Sequence, residues 1–424
     1  MPPYRRRTVM AALLRGESGA PARNTRVMSP AGTTSASRQT WMLLATVFLV
    51  MVGFGIVMPI LPFLARRFGA SPLQMGLLVT AWAVAQFAAS PFWGLAADRI
   101  GRKPVLVVGL LGYTVAFLGM ALAQSYEMLL AARVVGGLIS ASVLPSAQAI
   151  AADLSTPEER SAVMGRMGAG FGLGFLVGPA AGGILALVGP LVPFYVAAAT
   201  SALAVPLVVR LVGEPPADAR RAAAARLGTG ALAQALRSSE LPLYLMALAT
   251  TLGGSSLFSM LGYYAIDRAG GTPSDVGVMF TALGLGSVVA QGIAVGPVTR
   301  RWGEVRTIRA GFVAGAAGFV MVALAGSVAA ITVTVCMTSL AMAFLRPSLA
   351  ALNSRTTRLG YGTSLGMQTS FDSLGRAVGP LWAGTMYGIV QSGPFLGAAA
   401  VYLVAAAGTL RLQDGGRRRP TVPR

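Results

Sequence analysis

The sequence has no histidine and one cysteine, and only 11% of its 424 residues are charged. The lack of histidine excludes a histidine-ligated metal site and a histidine proton relay. Cys336, alone in an apolar run (ITVTVCMTSL), cannot close an internal disulfide and reads as a small buried apolar side chain. Soluble domains carry about 25% charged residues. A chain with less than half of that cannot keep its surface wet, so lipid must cover most of it. Acids are scarcer than bases, at 14 Asp+Glu against 34 Lys+Arg. No Gly-x4-Gly-Lys-Ser/Thr loop is present to cradle a nucleotide. No nucleophile–base set is visible either, which argues against an enzyme.

What the chain has in quantity is apolar and small side chains: 54% hydrophobic residues and 53 glycines. Small residues let helix backbones approach closely inside a bilayer. A helix needs about 20 apolar residues to cross the hydrocarbon core. Twelve such stretches are readable, near 41–65, 73–96, 104–124, 127–150, 161–187, 190–211, 241–264, 275–298, 307–327, 329–352, 363–388 and 394–412. The expected fold class is therefore an all-α membrane protein with twelve transmembrane helices in two six-helix bundles. Residues 1–40 read as a disordered basic cytoplasmic arm. The first bundle covers 41–211, a polar linker 212–238, the second bundle 239–412, and a basic tail 413–424. The VMAALL stretch near the start is shorter than the ~7–15 apolar residues of a signal peptide. Met28 is an alternative start, which would leave 1–27 untranslated.

The formal charge of +20 would suggest nucleic acid in a soluble protein. Its distribution points elsewhere. With the N-terminus inside, the inner loops and tails hold 28 of the 34 Lys+Arg. The outer loops hold Arg66, Arg67 and Arg268, and Arg133, Arg346 and Arg376 lie deep within spans. This is the positive-inside pattern, with both termini cytoplasmic. Trp41, Trp93 and Trp302 fall near the inner interface, where indole rings are favoured. Lys103 is the only lysine, and such arginine-heavy usage suggests a GC-rich bacterial genome and hence a bacterial cell (inner) membrane.

The two halves repeat. Pro72…Gly76 is echoed by Pro273…Gly277, Gly94…Gly101 by Gly296…Gly303, Pro145-Ser146 by Pro347-Ser348, and Gly174-xxx-Gly178-Pro179 by Gly375-xxx-Gly379-Pro380. All four echoes lie 201 or 202 residues apart. Duplicated halves place a substrate site at the midplane between them.

Four motifs then carry chemistry. GLAADRIGRK (94–103) joins the second and third spans: Gly94 and Gly101 allow a tight reversal, and Asp98, Arg99, Arg102 and Lys103 cluster at the inner face. In the fifth span, GLGFLVGPAAGG (172–183) sets Gly174, Gly178, Gly182 and Gly183 on a smooth helix around Pro179. In the fourth, LLAARVVGG (129–137) buries Arg133, a costly and usually functional placement. In the first, GFGIVMPILP (53–62) carries Gly53, Pro59 and Pro62. Together these resemble the major facilitator superfamily, and within it the twelve-span drug:proton antiporters, over about residues 41–412. The resemblance implies that Asp98 contacts a second-half helix and holds an outward-open state. It implies that the fifth-span motif is a hinge and seal typical of exporters, and that Arg133 takes part in proton coupling. Two departures stand out. Gly136 replaces the glutamine usual beside Arg133, and the first span has no acid. The second-half copy of the loop, GPVTRRWGEV, has Arg300 where the acid should be.

Only Asp372 is an acid deep in a span. Arg376 lies four residues on, on the same helical face. A buried Asp–Arg pair can be a protonation switch or a tolerated ion pair, so Asp372 and Arg376 join Arg133 as coupling candidates. Candidate cavity residues are Gln86, Phe258, Tyr263, Tyr264, Gln291 and Gln368, and 19 methionines suit adaptable apolar pockets. The resulting expectation is a proton-coupled exporter of small amphipathic molecules, antibiotics among them. It needs no metal or cofactor beyond the proton, binds a small-molecule substrate and the lipid bilayer but no nucleic acid, and is a monomer. An exporter or uncoupled facilitator of a sugar or endogenous metabolite is the alternative, and a non-transporting receptor or scaffold a second.

Overall fold

A computed structural model describes residues 30–156, 159–213, 238, 240–357 and 361–412. Among the described residues, 39–412 belong to one compact unit, and the helical residues 30–38 are counted apart from it. Of the expected arm, the backbone from Pro30 is described, as the start of a helix, and the exposed Arg38; residues 1–29 lie outside the described residues. So do the linker, apart from Val212, Gly213 and Ser238, and the tail from 413 on. The first helix thus begins eleven residues before the expected first span.

Among the described residues the helices form twelve columns. The first half holds α1 (Pro30–Val57) with α2 (Leu61–Arg67), α3 (Pro72–Ile100), α4 (Arg102–Ala121), α5 (Tyr126–Ser140) with α6 (Val143–Asp153), α7 (Arg160–Val188) and α8 (Val192–Leu211). The second holds α9 (Leu241–Ala269), α10 (Pro273–Val289) continued by a π turn into α11 (Val295–Trp302), α12 (Glu304–Leu324), α13 (Val328–Met342) with α14 (Leu345–Thr356), α15 (Tyr361–Ile389) and α16 (Gly393–Gly408). Ten columns have the length and hydropathy to cross a membrane, and α16 is a shorter apolar helix. α15 has the length, at 29 residues, but carries a polar stretch around Asp372.

Prolines explain where columns break. A proline removes one backbone donor and its ring crowds the carbonyl four residues back. The breaks at 58–60, 141–142 and 343–344 begin four residues before Pro62, Pro145 and Pro347. Spans read as continuous over 41–65, 127–150 and 329–352 are therefore pairs of helices.

The duplication is visible in backbone detail. Four glycines among the described residues have positive φ, and they form two pairs: Gly69 (71°) with Gly270 (61°), and Gly101 (108°) with Gly303 (82°). Ser71 caps α3 with Gln74 in a reciprocal capping box, and Thr272 caps α10 with Asp275 in the same way. Such agreement between distant segments follows if both halves descend from one six-helix unit.

Candidate functional site

The halves meet chiefly through two crossings, α3 with α15 and α7 with α10, and α9 also touches α2 and α3. Both crossings are built on missing side chains. A Cβ on Gly277 would come within 2.8 Å of Gly183 Cα and of Pro179 O. Gly76 lies against the Pro380 carbonyl, and Gly384 against Pro72. Ser274 Oγ donates to Gly183 O at 2.9 Å. Polar contacts close the same end. Arg66 Nη2 meets Asp267 Oδ2 at 2.5 Å, and the Tyr387 hydroxyl donates to that oxygen at 2.7 Å. The Arg66 guanidinium lies 4.5 Å over the Tyr263 ring, whose hydroxyl donates to Ala70 O. On the opposite end of the same helices, Gly165, Gly168 and Gly172 of α7, Gly292 after α10 and Gly366 of α15 have open space beside them. The halves are joined at the end carrying the 66–72 and 267–273 turns and parted at the end carrying the arginine-rich loops.

Between them lies a cavity of about 1020 Å³. Phe54, Met58 and Leu257 form its wall near the sealed end, and Ser90, Gln148 and Gly168 line it toward the parted end. Of the expected cavity residues, Gln86, Phe258 and Gln291 line it. The other three do not. Tyr263 belongs to the seal. Tyr264 meets Phe395 edge to face and donates to Ala323 O. Gln368 accepts from Asn353 Nδ2 at 3.0 Å within a buried network with Ser364 and Tyr244. Their polar tips are satisfied by backbone or network, so they cannot also serve the cavity.

Arg133 is 1% exposed and lines the cavity. Its Nε donates to Leu78 O at 3.0 Å, its guanidinium lies 4.7 Å over the Trp82 ring, and its Nη1 has no partner among the described residues. It therefore neither snorkels nor pairs with Glu127. The Trp82 ring also accounts for Gly136: a Cβ there would fall 2.5 Å from Trp82 and from Ala116. The ring occupies the space a glutamine would need.

The expected Asp372–Arg376 pair is replaced by another. Asp372 Oδ2 accepts from Arg346 Nη2 at 2.8 Å, and Oδ1 accepts from Thr251 Oγ1 at 2.6 Å. Arg376 instead donates to Ser373 Oγ at 3.1 Å. The i,i+4 relation is real, but α14 and α9 bring better-placed partners. In the sequence Arg346 stands out only as a charge within a span.

In the 94–103 loop, Gly101 makes the reversal with its positive φ, and Gly94 has open space around it. Arg102 is buried and pairs with Asp153, while Lys103 Nζ donates to Val209 O. Asp98 and Arg99 are exposed, and Asp98 makes no hydrogen bond or ion pair with a second-half helix among the described residues. The parted end carries this loop, so the helix it was expected to touch stands away from it. In the first span, Gly53 packs on Thr200 and Ala197, Pro59 lies in the break, and Pro62 fits against Gly262 across the seal. Gly174 sits on Phe48 and Met51, Gly178 on Val52 and Gly55, and Gly182 on Ile56. The fifth-span glycines thus bind α7 to α1, and Gly183 alone turns toward the second half.

Two duplicated six-helix halves, closed at one end around a central cavity, define a membrane transporter rather than an enzyme. The chain belongs to the Major Facilitator Superfamily, whose family profile matches residues 43–272 and 243–423. It is 30% identical over 374 residues to Multidrug resistance protein 2 of Bacillus subtilis (strain 168), covering 87% of this chain and 93% of that one. It is 26% identical over 367 residues to Quinolone resistance protein NorA of Staphylococcus aureus (strain MSSA476), covering 87% and 94%. Among solved structures, the human organic anion transporter MFSD10 (TETRAN) aligns with TM-score 0.64 at 23% identity, over 88% of this chain and 99% of that one. A bacterial homolog of the human lysosomal transporter Spinster, in an inward-facing and occupied conformation, aligns with TM-score 0.74 at 15% identity, over 88% and 96%.

Proposed function

We propose that this transporter exports small amphipathic molecules in exchange for protons, by alternating access of the central cavity. The observation that carries the reading is Asp372: a carboxylate with a side chain 9% exposed, held by Thr251 and by Arg346, a cavity-wall residue. Protonation there would remove the charge that holds Arg346 and change the charge of the cavity wall. The drug-resistance names of its relatives and the antiporter-type run Gly174–Gly183 favour outward export. One proton entering down 100 mV supplies about 2.3 kcal/mol, enough for roughly 50-fold accumulation.

In this reading the protein is a monomer in a bacterial inner membrane, with both termini cytoplasmic and residues 41–211 and 239–412 as the rocking halves. The structure then corresponds to the inward-facing state. Arg133 and Arg376 would contribute to coupling through the field they set in the cavity, and Asp98 would engage the second half only when the inner end closes.

The test is proton flux in acid-inside, inside-out vesicles carrying the protein, read by a pH-sensitive dye. The expected result is collapse of the gradient on adding a transported compound, and no collapse with Asp372→Asn. Uphill transport by that variant at the parent rate with normal proton counterflow would end the coupling role of Asp372. The absence of an acid in the first span favours one second reading, an uncoupled facilitator, which would show a transport rate independent of pH.

A further inference from the structure

The cavity wall carries three guanidinium groups, Arg133, Arg346 and Arg376, and no Asp or Glu among its described residues. Asp372, behind the wall, neutralises Arg346 through a 2.8 Å ion pair. Arg376 is exposed to the cavity, and among the described residues it bonds only the neutral Ser373 hydroxyl. Arg133 is fully enclosed in the first half, with Nη1 unpartnered. Two positive charges near the middle of a membrane protein are therefore without an ion-pair partner among the described residues. Charges placed so are costly unless a counter-charge meets them. Guanidinium groups favour planar oxyanions, which they bind through parallel N–H donors.

We propose that the cavity selects amphipathic organic anions, with the carboxylate, sulfonate or phosphate group received by the exposed Arg376 and the enclosed Arg133 adding its positive field from behind the first-half wall. The apolar body of the substrate rests on the aromatic wall, where the tilted rings of Phe175 and Phe258 meet from opposite halves with centroids 5.3 Å apart. A lipophilic cation would face the same charges with no acid to receive it. This deepens the transport reading above, because it takes the cavity as the substrate site, but it does not depend on proton coupling.

The test compares two dyes that share a xanthene frame and differ in charge, anionic fluorescein and cationic rhodamine 123. Binding to the purified full chain in neutral-detergent micelles is followed by fluorescence anisotropy. Fluorescein should bind about tenfold or more tightly than rhodamine 123. Arg376→Gln should remove most of that preference, Arg376→Lys should retain part of it, and neither should weaken rhodamine 123. Arg133→Gln, which removes only a field from behind the wall, should lower the fluorescein preference less than Arg376→Gln does. Because Arg133 is buried, a variant that fails to elute as a single species is set aside and Arg376 decides. Rhodamine 123 binding as tightly as fluorescein, unsaturable fluorescein binding, or a preference unchanged in Arg376→Gln would each overturn the proposal. A fluorescein preference without any proton flux would end the coupling reading alone. A cation preference with intact proton flux would end this one alone.

Discussion

A buried carboxylate must have its oxygens satisfied, and Asp372 divides the task between a charged and a neutral donor. The neutral donor, whose hydroxyl also lies 3.0 Å from Ala247 O, can be removed while the charged one stays. Thr251→Val keeps the shape and leaves Oδ1 unpaired, which costs about 1–3 kcal/mol. The expected outcome is a fall of a few degrees in the unfolding temperature of the purified protein, with Thr251→Ser close to the parent. Equal stability of Thr251→Val would mean that water or another group already fills the site. The residue scale is also where the sequence is least legible. An i,i+4 rule can pair Asp372 with Arg376, but it cannot see Arg346, 26 residues away on a neighbouring helix. The same limit applies to Tyr263, Tyr264 and Gln368, whose polar tips find partners that only the packed helices bring near. Gly136 is a departure without a cause in the sequence, and the cause is the Trp82 ring that occupies its space.

Between helices, the decisive feature is close approach. Gly183 and Gly277 bring the α7 and α10 backbones together, and Gly76 and Gly384 do the same for α3 and α15. These four positions lie 201 residues apart as Gly76/Gly277 and Gly183/Gly384, so the offset readable in the sequence also describes the seal. Gly277→Val would force the crossing apart, since overpacking of a close contact costs about 1–3 kcal/mol. The expected result is a shift of the population toward a state open at this end. It can be read with Ala70→Cys in a Cys336→Ser background, using a membrane-impermeant maleimide on intact cells. Ala70 is buried in the sealed end, so labelling of the introduced thiol should be slow in the parent and several-fold faster with Gly277→Val. Unchanged labelling would show that the crossing does not govern closure. The proline breaks are less legible, because a hydropathy window averages across Pro145 and Pro347 and sees one apolar span. The rule that a proline disturbs the turn before it locates both breaks once applied.

At the scale of the whole molecule, the two halves are copies that differ where they must complement each other. Arg66 and Asp267 occupy equivalent positions, 201 residues apart, yet carry opposite charge and pair across the seal. A duplication with identical charges there would repel itself, so the pair belongs to the divergence of the halves and not to the ancestral unit. In the sequence Arg66 stands out only as a rare outer-loop cation. The repeat offset, applied to charges as well as to glycines and prolines, finds its partner. The side chains are 34% and 19% exposed, so the pair is partly screened and worth about 1 kcal/mol or less. That is enough to matter for a balance between two open states, because about 1.4 kcal/mol is a tenfold change in population. Arg66→Asp and Asp267→Arg each place like charges face to face. Each should speed labelling of the thiol introduced by Ala70→Cys and slow transport. The double reversal restores opposite charges. It should recover much of both, though not all, since Tyr387 loses its carboxylate acceptor and Tyr263 the guanidinium over its ring. Recovery in the double variant, measured as a coupling term in the double-mutant cycle, would make the pair a lock between the halves. Additive effects of the two reversals would reduce it to two separate charges that happen to lie close together.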